Sequence, residues 1–469
     1  MRRSATGRAS RPYDVSALRE AVAGPVLERG DTGYEEECAG HNLLRAARPT
    51  VVVGATRSED VMAAVRFARD HDLPVAVRNA GHQLVLPDAG DWLLLTMNRM
   101  DDVRVDAGRR TVDVGAGARW RQVVAETAKY GWAPLAGSAP GVGVIGYTLG
   151  GGIGPVLSRR HGYAADHVRR LDVVTADGRT RRVTPDSDPD LFWALLGCKG
   201  NFGVVTGMEF DVFPVTRFHG GGLWFRGEDM ARVLGVWRAW LAGVGEETTT
   251  SVAVQRLPDL PHLPAVLRGA FVLHVRVAHL GPADEGKRLI APLREAAPVL
   301  VDTVRERPFE EVGEIHVDPV HPAPVSETAV GLREFSADTL EAFVALTGAD
   351  SACPLVSVEV RALSGALDRE PAVPNSVPSR GLPFVTFAFG VAPWAEAGPL
   401  RRYLTAYTEA MAPWADERNI MNFISPQAAR TEADVRRLFG DRRYERLAAV
   451  KRRYDPDNVF RVNHNVPPA

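Results

Sequence analysis

The chain is poor in cysteine, in net charge and in long apolar runs, and each shortage argues against a class of protein. Its three cysteines are widely spaced and form no C-x-x-C pair, which disfavours a disulfide framework and a zinc site. The formal net charge of −2 does not indicate nucleic acid or an anionic membrane as a partner. No apolar run reaches membrane-spanning length, and no signal-peptide apolar segment follows the first arginines. We therefore expect a cytoplasmic monomer or homodimer, without nucleic-acid or membrane partners, that acts on a small molecule.

Glycine, by contrast, is concentrated in residues 137–154, which contain eight glycines in eighteen positions. A segment with so few Cβ atoms can bring backbone N–H groups around a pyrophosphate or a flat conjugated ring. Residues 141–146 also match the dinucleotide-binding pattern G-x-G-x-x-G. The glycines at 150–152 and the Gly-Pro pair at 154–155 disfavour the helix that this fingerprint requires. We therefore expect a ring-binding or phosphate-binding loop without a helix of useful length, and not a Rossmann turn.

The apolar pattern predicts two architectures, and the length of 469 residues allows two domains. Up to about residue 217, short strands and helices indicate an α+β unit rather than a doubly wound sheet. Residues 218–412 contain long alternating strands, which predict an antiparallel sheet with helices on one face. Predicted strands cover 73–78, 92–97, 103–106, 111–115, 171–175, 181–183, 204–210, 270–278, 355–363 and 384–391, and predicted helices begin at Ser58, Ala118 and Asp188.

Five ordered motifs resemble those of the flavin-linked oxidases of the vanillyl-alcohol oxidase superfamily, specifically the berberine-bridge-enzyme-like group. They are R-N-A-G-H at 78–82, the glycine stretch at 141–154, A-D-H at 165–167, G-N-F-G-V-V at 200–205 and Y-D-P-D-N-V-F at 454–460. The resemblance implies an α+β fold with a PCMH-type FAD-binding domain. This domain would comprise residues 45–217, with the segment 413–469 completing it, and a substrate-binding domain at 218–412 would be inserted between them.

The resemblance also implies covalent FAD, joined by a single bond between His82 and the flavin 8α-methyl carbon. A neutral imidazole is a suitable nucleophile near pH 7. Many members of the group add a second bond from a cysteine, but Ala139 holds that position here. The residues implied to bind FAD are Arg78, Asn79, Ala80, Gly81, His82, Gln83, Ser138, Pro140, Gly141, Val142, Gly143, Gly146, Tyr147, Gly150, Gly151, Gly152, Gly154, Asn201, Gly203, Val204, Val205 and Asn463.

The catalytic base is not evident from the motifs. Many relatives carry a Y-x-N-Y element whose tyrosine takes the substrate proton, whereas residues 420–423 here are I-M-N-F. We consider Tyr147, Glu359 and His464 as catalytic candidates, each with a structural role as the alternative. Glu359 and Arg361 alternate with valines on one predicted strand, so they point to the same side, where they either line a cavity or pair at the surface.

Two further residues leave alternatives open. Lys199, beside Gly200, contacts either the FAD phosphates or solvent. His274 is interpreted as a polar residue on one face of a half-buried strand.

The resemblance implies an FAD-dependent oxidase that removes hydride from a C–H bond next to oxygen or nitrogen and passes the electrons to O2. Val142 holds the position that in this group lies near the flavin C4a, and its small side chain favours access of O2. Two alternatives remain: a redox-neutral cyclase or isomerase in which FAD shapes the pocket, and a metabolite-binding protein with a vestigial flavin. The substrate, expected to be a secondary metabolite, is not identified because the middle of the chain carries no motif.

Overall fold

The computed structural model describes residues 13–83, 85–87, 89–261, 263–426 and 428–469. Its strands form three sheets within these residues, and they alternate with helices along the chain. In chain order the strands are β1 (Val26–Glu28), β2 (Val51–Gly54), β3 (Val75–Arg78), β4 (Leu93–Thr96), β5 (Val103–Asp106), β6 (Thr111–Gly115), β7 (Val168–Val174), β8 (Thr180–Val183), β9 (Val204–Asp211), β10 (Arg217–Arg226), β11 (Thr248–Arg256), β12 (Phe271–His279), β13 (Val299–Asp302), β14 (Arg305–Pro308), β15 (Val325–Leu332), β16 (Ser357–Ala362) and β17 (Phe384–Val391).

The α-helices vary in length from four to fourteen residues. Within the described ranges, none is both long enough and apolar enough to cross a membrane. They are α1 (Ser16–Ala21), α2 (Tyr34–Cys38), α3 (Ser58–Asp70), α4 (Trp120–Ala128), α5 (Val144–Leu149), α6 (Ser158–His161), α7 (Pro189–Cys198), α8 (Met230–Trp240), α9 (Ala283–Arg294), α10 (Ala337–Thr347), α11 (Gly398–Met411), α12 (Glu432–Phe439) and α13 (Asp441–Tyr454).

The first sheet has the strand order β1-β2-β4-β3, in which β2, β4 and β3 are parallel and β1 is antiparallel. Strands β2 and β4 are buried along their whole length, as expected for short Val- and Leu-rich parallel strands covered on both faces. Helix α3 buries Val61, Ala64, Val65 and Ala68 in the same core. Because β3 ends at Arg78, the fold fixes the start of the His82 loop at the edge of this sheet.

The second sheet is antiparallel, with the order β5-β6-β9-β7-β8. The predicted strands 103–106 and 111–115 coincide with β5 and β6. Gly178 has φ +69° in the turn between β7 and β8, a backbone conformation that favours glycine. The α+β class predicted from the sequence is confirmed.

The glycine stretch differs from the prediction, because it contains the short helix α5. This helix runs through Gly146, around whose Cα there is open space. Its cost in helix propensity is offset by burial of Val144, Ile145 and Leu149 in the core. The expectation of a stretch without a useful helix is therefore wrong for these six residues, although α5 ends at Gly150 as the following glycines require.

The third sheet is antiparallel and has the order β13-β10-β12-β11-β16-β17-β15, with β14 also paired to β10. Helices α8, α9, α10 and α11 contribute buried side chains to the core on one face of this sheet. Residues 357, 359 and 361 of β16 belong to the opposite face and line a cavity. The prediction of an antiparallel sheet with helices on one face is confirmed, and strand 384–391 has the predicted bounds.

The C-terminal segment returns to the first two sheets. The fully buried Lys451 of α13 donates hydrogen bonds to Asn201 O (2.6 Å) and Phe460 O (2.9 Å), and it pairs with Asp455 at 2.6 Å. Val75 N of β3 donates to Val459 O at 2.9 Å. These contacts hold the end of the chain against the region that carries the His82 loop.

Candidate active site

A cavity of about 1260 Å³ opens between the His82 loop, the glycine stretch, the free face of the third sheet and the C-terminal segment. It brings together residues that the sequence separates by nearly four hundred positions. The predicted site residues that line it are Arg78, Asn79, Ala80, Gly81, His82, Gln83, Ser138, Val142, Gly143, Gly146, Tyr147, Gly203, Val204, Val205, Glu359, Asn463 and His464.

Seven predicted cofactor-binding residues do not line the cavity. Close packing explains two of the glycines. A Cβ on Gly150 would lie 1.9 Å from Asn422 Oδ1, and a Cβ on Gly152 would lie 2.4 Å from Tyr147 Cε1. Asn201 is buried and fastens the tail, since its Nδ2 donates to His464 O at 3.1 Å and its Oδ1 accepts from Val466 N at 2.9 Å. The seven are Pro140, Gly141, Gly150, Gly151, Gly152, Gly154 and Asn201.

The His82 loop is held by polar contacts to the backbone of neighbouring segments. Asn79 Nδ2 donates to Ala116 O at 3.0 Å and to Ala118 O at 3.2 Å. A Cβ on Gly143 would lie 2.6 Å from the same Nδ2, so glycine is required where the glycine stretch meets this loop. Gly81 has φ +72° and its Cα approaches Gly40, which likewise favours glycine.

His82 is a neutral imidazole in this environment. Its ring stacks on that of His41, with a centroid distance of 3.9 Å and an interplanar angle of 22°. Burial is the main cause that lowers the pKa of His82 to about 3; His41 and Arg119 lower it further, and Asp318 acts in the opposite direction. A ring without a proton on one nitrogen at neutral pH is the form that can act as a nucleophile. The stacking partner His41 lies outside every motif and was not predicted.

The cavity is suited to a polar conjugated cofactor such as FAD. Among the described residues, the buried polar atoms along its walls that have no hydrogen-bond partner include Asn79 Oδ1, Tyr147 Oη, Asn422 Oδ1 and Asn463 Oδ1. Unpaired buried polar atoms are costly, so these atoms fit a site that binds a polar ligand. In the same described residues no group of His, Cys, Asp and Glu side chains is arranged to hold a metal ion.

Comparison with known families agrees with this site. Residues 49–184 match the FAD binding domain family, and residues 421–467 match the family described as berberine and berberine like. The chain carries an FAD binding domain and a berberine-like domain, and it is similar to FAD-linked oxidoreductases of the berberine-bridge-enzyme-like group. The family resemblance, the FAD cofactor and the activity class predicted from the sequence are thereby confirmed.

Individual relatives extend over nearly the whole chain. (R)-6-hydroxynicotine oxidase from Paenarthrobacter nicotinovorans is 29% identical over 96% of this chain and 97% of its own. The crystal structure of 6-hydroxy-D-nicotine oxidase from Arthrobacter nicotinovorans superimposes with a TM-score of 0.83 at 25% identity, covering 96% and 98% of the two chains. A chitooligosaccharide oxidase shares the fold, with a TM-score of 0.82 at 20% identity over 97% and 99% of the chains.

Glu359 of this FAD-dependent oxidoreductase lies in the cavity wall, but its carboxylate is already held in ion pairs. Its carboxylate pairs with Arg276 at 2.8 Å, Arg361 at 2.9 Å and His316 at 3.2 Å. Burial opposes ionisation, yet Arg361 and Arg276 hold the pKa of Glu359 well below its usual range. The shared orientation of Glu359 and Arg361 is confirmed. A carboxylate stabilised in this way is a poor proton acceptor at neutral pH, which disfavours Glu359 as the base.

The other two candidate bases are also constrained. Burial raises the pKa of Tyr147, whose ring packs edge-on against Trp120 at 5.2 Å, so its phenol stays protonated. Burial and the nearby Lys199 lower the pKa of His464 to about 4. Its Nε2 lies 3.3 Å from Gln83 Nε2 and its Nδ1 lies 3.3 Å from Ala429 O, so both ring nitrogens have partners. Both residues line the cavity, but neither is a strong base there.

Two charged residues of the cavity were not assigned a role from the sequence: Glu327 was not predicted at all, and Lys199 was predicted to contact either the FAD phosphates or solvent. Lys199 is oriented toward the cavity, where Nζ donates to Gln83 Oε1 at 2.6 Å, and burial lowers its pKa to about 7 against the opposing effect of Glu327. Burial likewise raises the pKa of Glu327 on β15 to about 7, partly offset by Lys199. No motif contains Glu327, and the one signal for Lys199 was its place next to the G-N-F-G-V-V motif.

Proposed function

We propose that this oxidoreductase is an oxidase that holds FAD covalently through His82 and transfers the electrons of a small-molecule substrate to O2. The observation that carries the proposal is the neutral His82 imidazole, stacked on His41 and open to a cavity bordered by the glycine stretch. When bound, FAD supplies the hydride-accepting chemistry. The side chains and backbone of Asn79, His82, Gly143 and Asn463 hold it, and Val142 leaves room for O2.

Different parts of the chain have different proposed roles, as the family resemblance implies. We propose that residues 45–217 and 413–469 bind FAD, and that the inserted residues 218–412 form the substrate wall. The contacts of Lys451 with Asn201 support the joining of the two FAD-binding segments. The cavity-facing side chains of β15, β16 and β17 support the second part.

The substrate wall favours a compact apolar or aromatic substrate over an oligosaccharide. Phe387 and Phe423 pack at 5.0 Å in the wall, and Phe389 lies beside them in the lining. Aromatic rings provide apolar area for another ring. The part of the lining that is exposed to solvent also contains the apolar side chains Leu260, Val317, Val320 and Val391.

Anaerobic mixing of the FAD-loaded protein with 6-hydroxynicotine, with aromatic secondary amines and alcohols, and with xylobiose tests this function. We expect an amine or alcohol of the aromatic set to bleach the oxidised flavin, and air to restore its colour. Xylobiose is the matched polar control and should leave the spectrum unchanged. Conversion of a compound without bleaching would instead favour a redox-neutral cyclase or isomerase, and binding without conversion would favour a metabolite-binding protein.

A further inference from the structure

Three carboxylates of the described residues line the cavity: Glu359 is held in ion pairs, Asp318 accepts a hydrogen bond from Ser138 Oγ at 2.6 Å, and Glu327 is the third. Glu327 follows Ser326 on β15, and Glu327 and Val325 line the cavity. In the sheet register Glu327 lies opposite Phe389 of β17, which in turn lies opposite Ser357 of β16. Within the described ranges the side chain of Glu327 has no hydrogen bond or ion pair. The carboxylate is therefore free to accept a proton from a bound molecule, unlike that of Glu359.

Lys199 lines the same cavity, and its backbone conformation is strained. Its φ of +52° and ψ of −139° lie in a region that side-chain-bearing residues rarely adopt. Strain of this kind concentrates at functional sites, where a particular side chain must occupy a glycine-like position. The ammonium contacts Gln83, the residue after His82, and it is close enough to Glu327 for each to affect the other's ionisation.

We propose that Glu327 is the general base of the oxidation and that Lys199 is the positioning residue that controls its protonation. The proposal rests on the proposed oxidase function. In the step, an N–H or O–H bond of the substrate breaks and its proton moves to a carboxylate oxygen of Glu327. Bound FAD would accept the hydride of the adjacent C–H bond, so that a C=N or C=O bond forms and the two electrons that the substrate loses would pass to FAD.

The electrostatic surroundings fit this role. Burial places the pKa of Glu327 at about 7, so the carboxylate and the acid are both populated near neutral pH, as a general base requires. Among the described residues, Lys199 is the charged group that acts on Glu327, and the strand neighbours Ser357 and Phe389 are uncharged. Lys199 itself is affected by Glu327 and acts in addition on the buried His464.

Infrared difference spectra of the FAD-loaded protein across a pH titration test the charge state without any substrate. We expect a protonated-carboxyl C=O band that disappears near pH 7, is absent in Glu327→Gln and is retained in the control Glu341→Gln, on the outer helix α10. In Lys199→Met the band should persist to a pH about one unit higher or more, because the cation that favours the carboxylate is gone. A band unaltered in Glu327→Gln, or an unshifted midpoint in Lys199→Met, would overturn the corresponding assignment.

Anaerobic flavin reduction by the compound that bleaches the wild-type protein tests the base. Glu327→Gln should slow reduction about 100-fold or more with little change in the apparent Kd of the compound, whereas Glu341→Gln should not. Lys199→Met should be slow at pH 7 and recover at higher pH, a profile that a purely structural role would not produce. Reduction of Glu327→Gln at the wild-type rate refutes the base while the oxidase function stands.

A second variant, Lys199→Gly, removes the ammonium without the risk that the protein misfolds. Glycine relieves the strained φ, so its Tm should equal or exceed that of the wild type, while its infrared midpoint should match that of Lys199→Met. A midpoint like the wild type in Lys199→Gly contradicts the role of the ammonium. If no compound bleaches the wild-type flavin, the oxidase function and the base fail together, whereas the titration still decides whether Lys199 controls the protonation of Glu327.

Discussion

At the residue scale, His82 is the side chain on which cofactor attachment depends. In His82→Ala we expect FAD to appear in the supernatant after acid precipitation, because the nucleophilic imidazole is gone. In the wild type and in His71→Ala, which changes an exposed histidine on the outside of the same region, the yellow colour should stay with the polypeptide. Absorbance of the two fractions is the measurement, and free flavin from the wild type would refute the covalent bond.

Val142 is a second single-residue determinant, because it is half-buried in the cavity lining next to Gly143. We expect Val142→Leu to slow reoxidation of the reduced flavin by O2 about tenfold, a barrier increase of about 1.4 kcal/mol, while anaerobic reduction is nearly unchanged. Val391→Leu, at an exposed position of the same cavity, is the matched control. Stopped-flow reoxidation traces decide the question, and equal rates in wild type and Val142→Leu would contradict the role of this position.

At the scale of the elements, strands β12 and β16 share one buried charge cluster. Glu359→Gln leaves Arg276 and Arg361 without their carboxylate, and we expect a loss of about 3–5 kcal/mol in the free energy of unfolding at pH 7. Because the pKa of Glu359 is depressed in the folded state, its contribution is present above the unfolded pKa and is lost as pH falls.

Urea denaturation at several pH values measures this dependence. The difference between wild type and Glu359→Gln should shrink as the pH falls below about 4, because the carboxylate of the unfolded chain is protonated there while that of the folded protein is protonated only at its own lower pKa. Glu334→Gln, an exposed carboxylate next to β15, should show no such difference. A gap between wild type and Glu359→Gln that is independent of pH would show that the cluster acts through packing and not through charge.

At the scale of the whole molecule, the C-terminal segment is held by one buried ion pair. Lys451→Met removes the partner of Asp455, which is itself fully buried, and we expect a loss of about 3–5 kcal/mol in stability. The same change removes the hydrogen bonds that Lys451 donates to Asn201 O and Phe460 O, so the tail should become sensitive to limited proteolysis. Arg452→Met, at the next and exposed position of α13, is the control and should behave as the wild type.

The sequence alone determined the fold class and the family. Local patterns suffice for such conclusions: alternation gave the bounds of β5, β6 and β17, and ordered motifs indicated FAD. It also placed His82 directly after a strand, because the apolar run 73–78 ends there. The glycine stretch was partly misjudged, since burial of Val144, Ile145 and Leu149 stabilises a helix that propensity alone disfavours.

Only the tertiary structure decided the charge states on which catalysis depends. The sequence offers Glu359 as a candidate base, but folding places Arg276, two strands away in the sheet, beside it. Glu327 has no local sequence signal. Lys199 and Glu327 come from distant parts of the chain, yet they affect each other in one cavity. The physical reason is that a pKa depends on burial and on charges within a few ångströms, and these neighbours are brought together by folding rather than by sequence spacing.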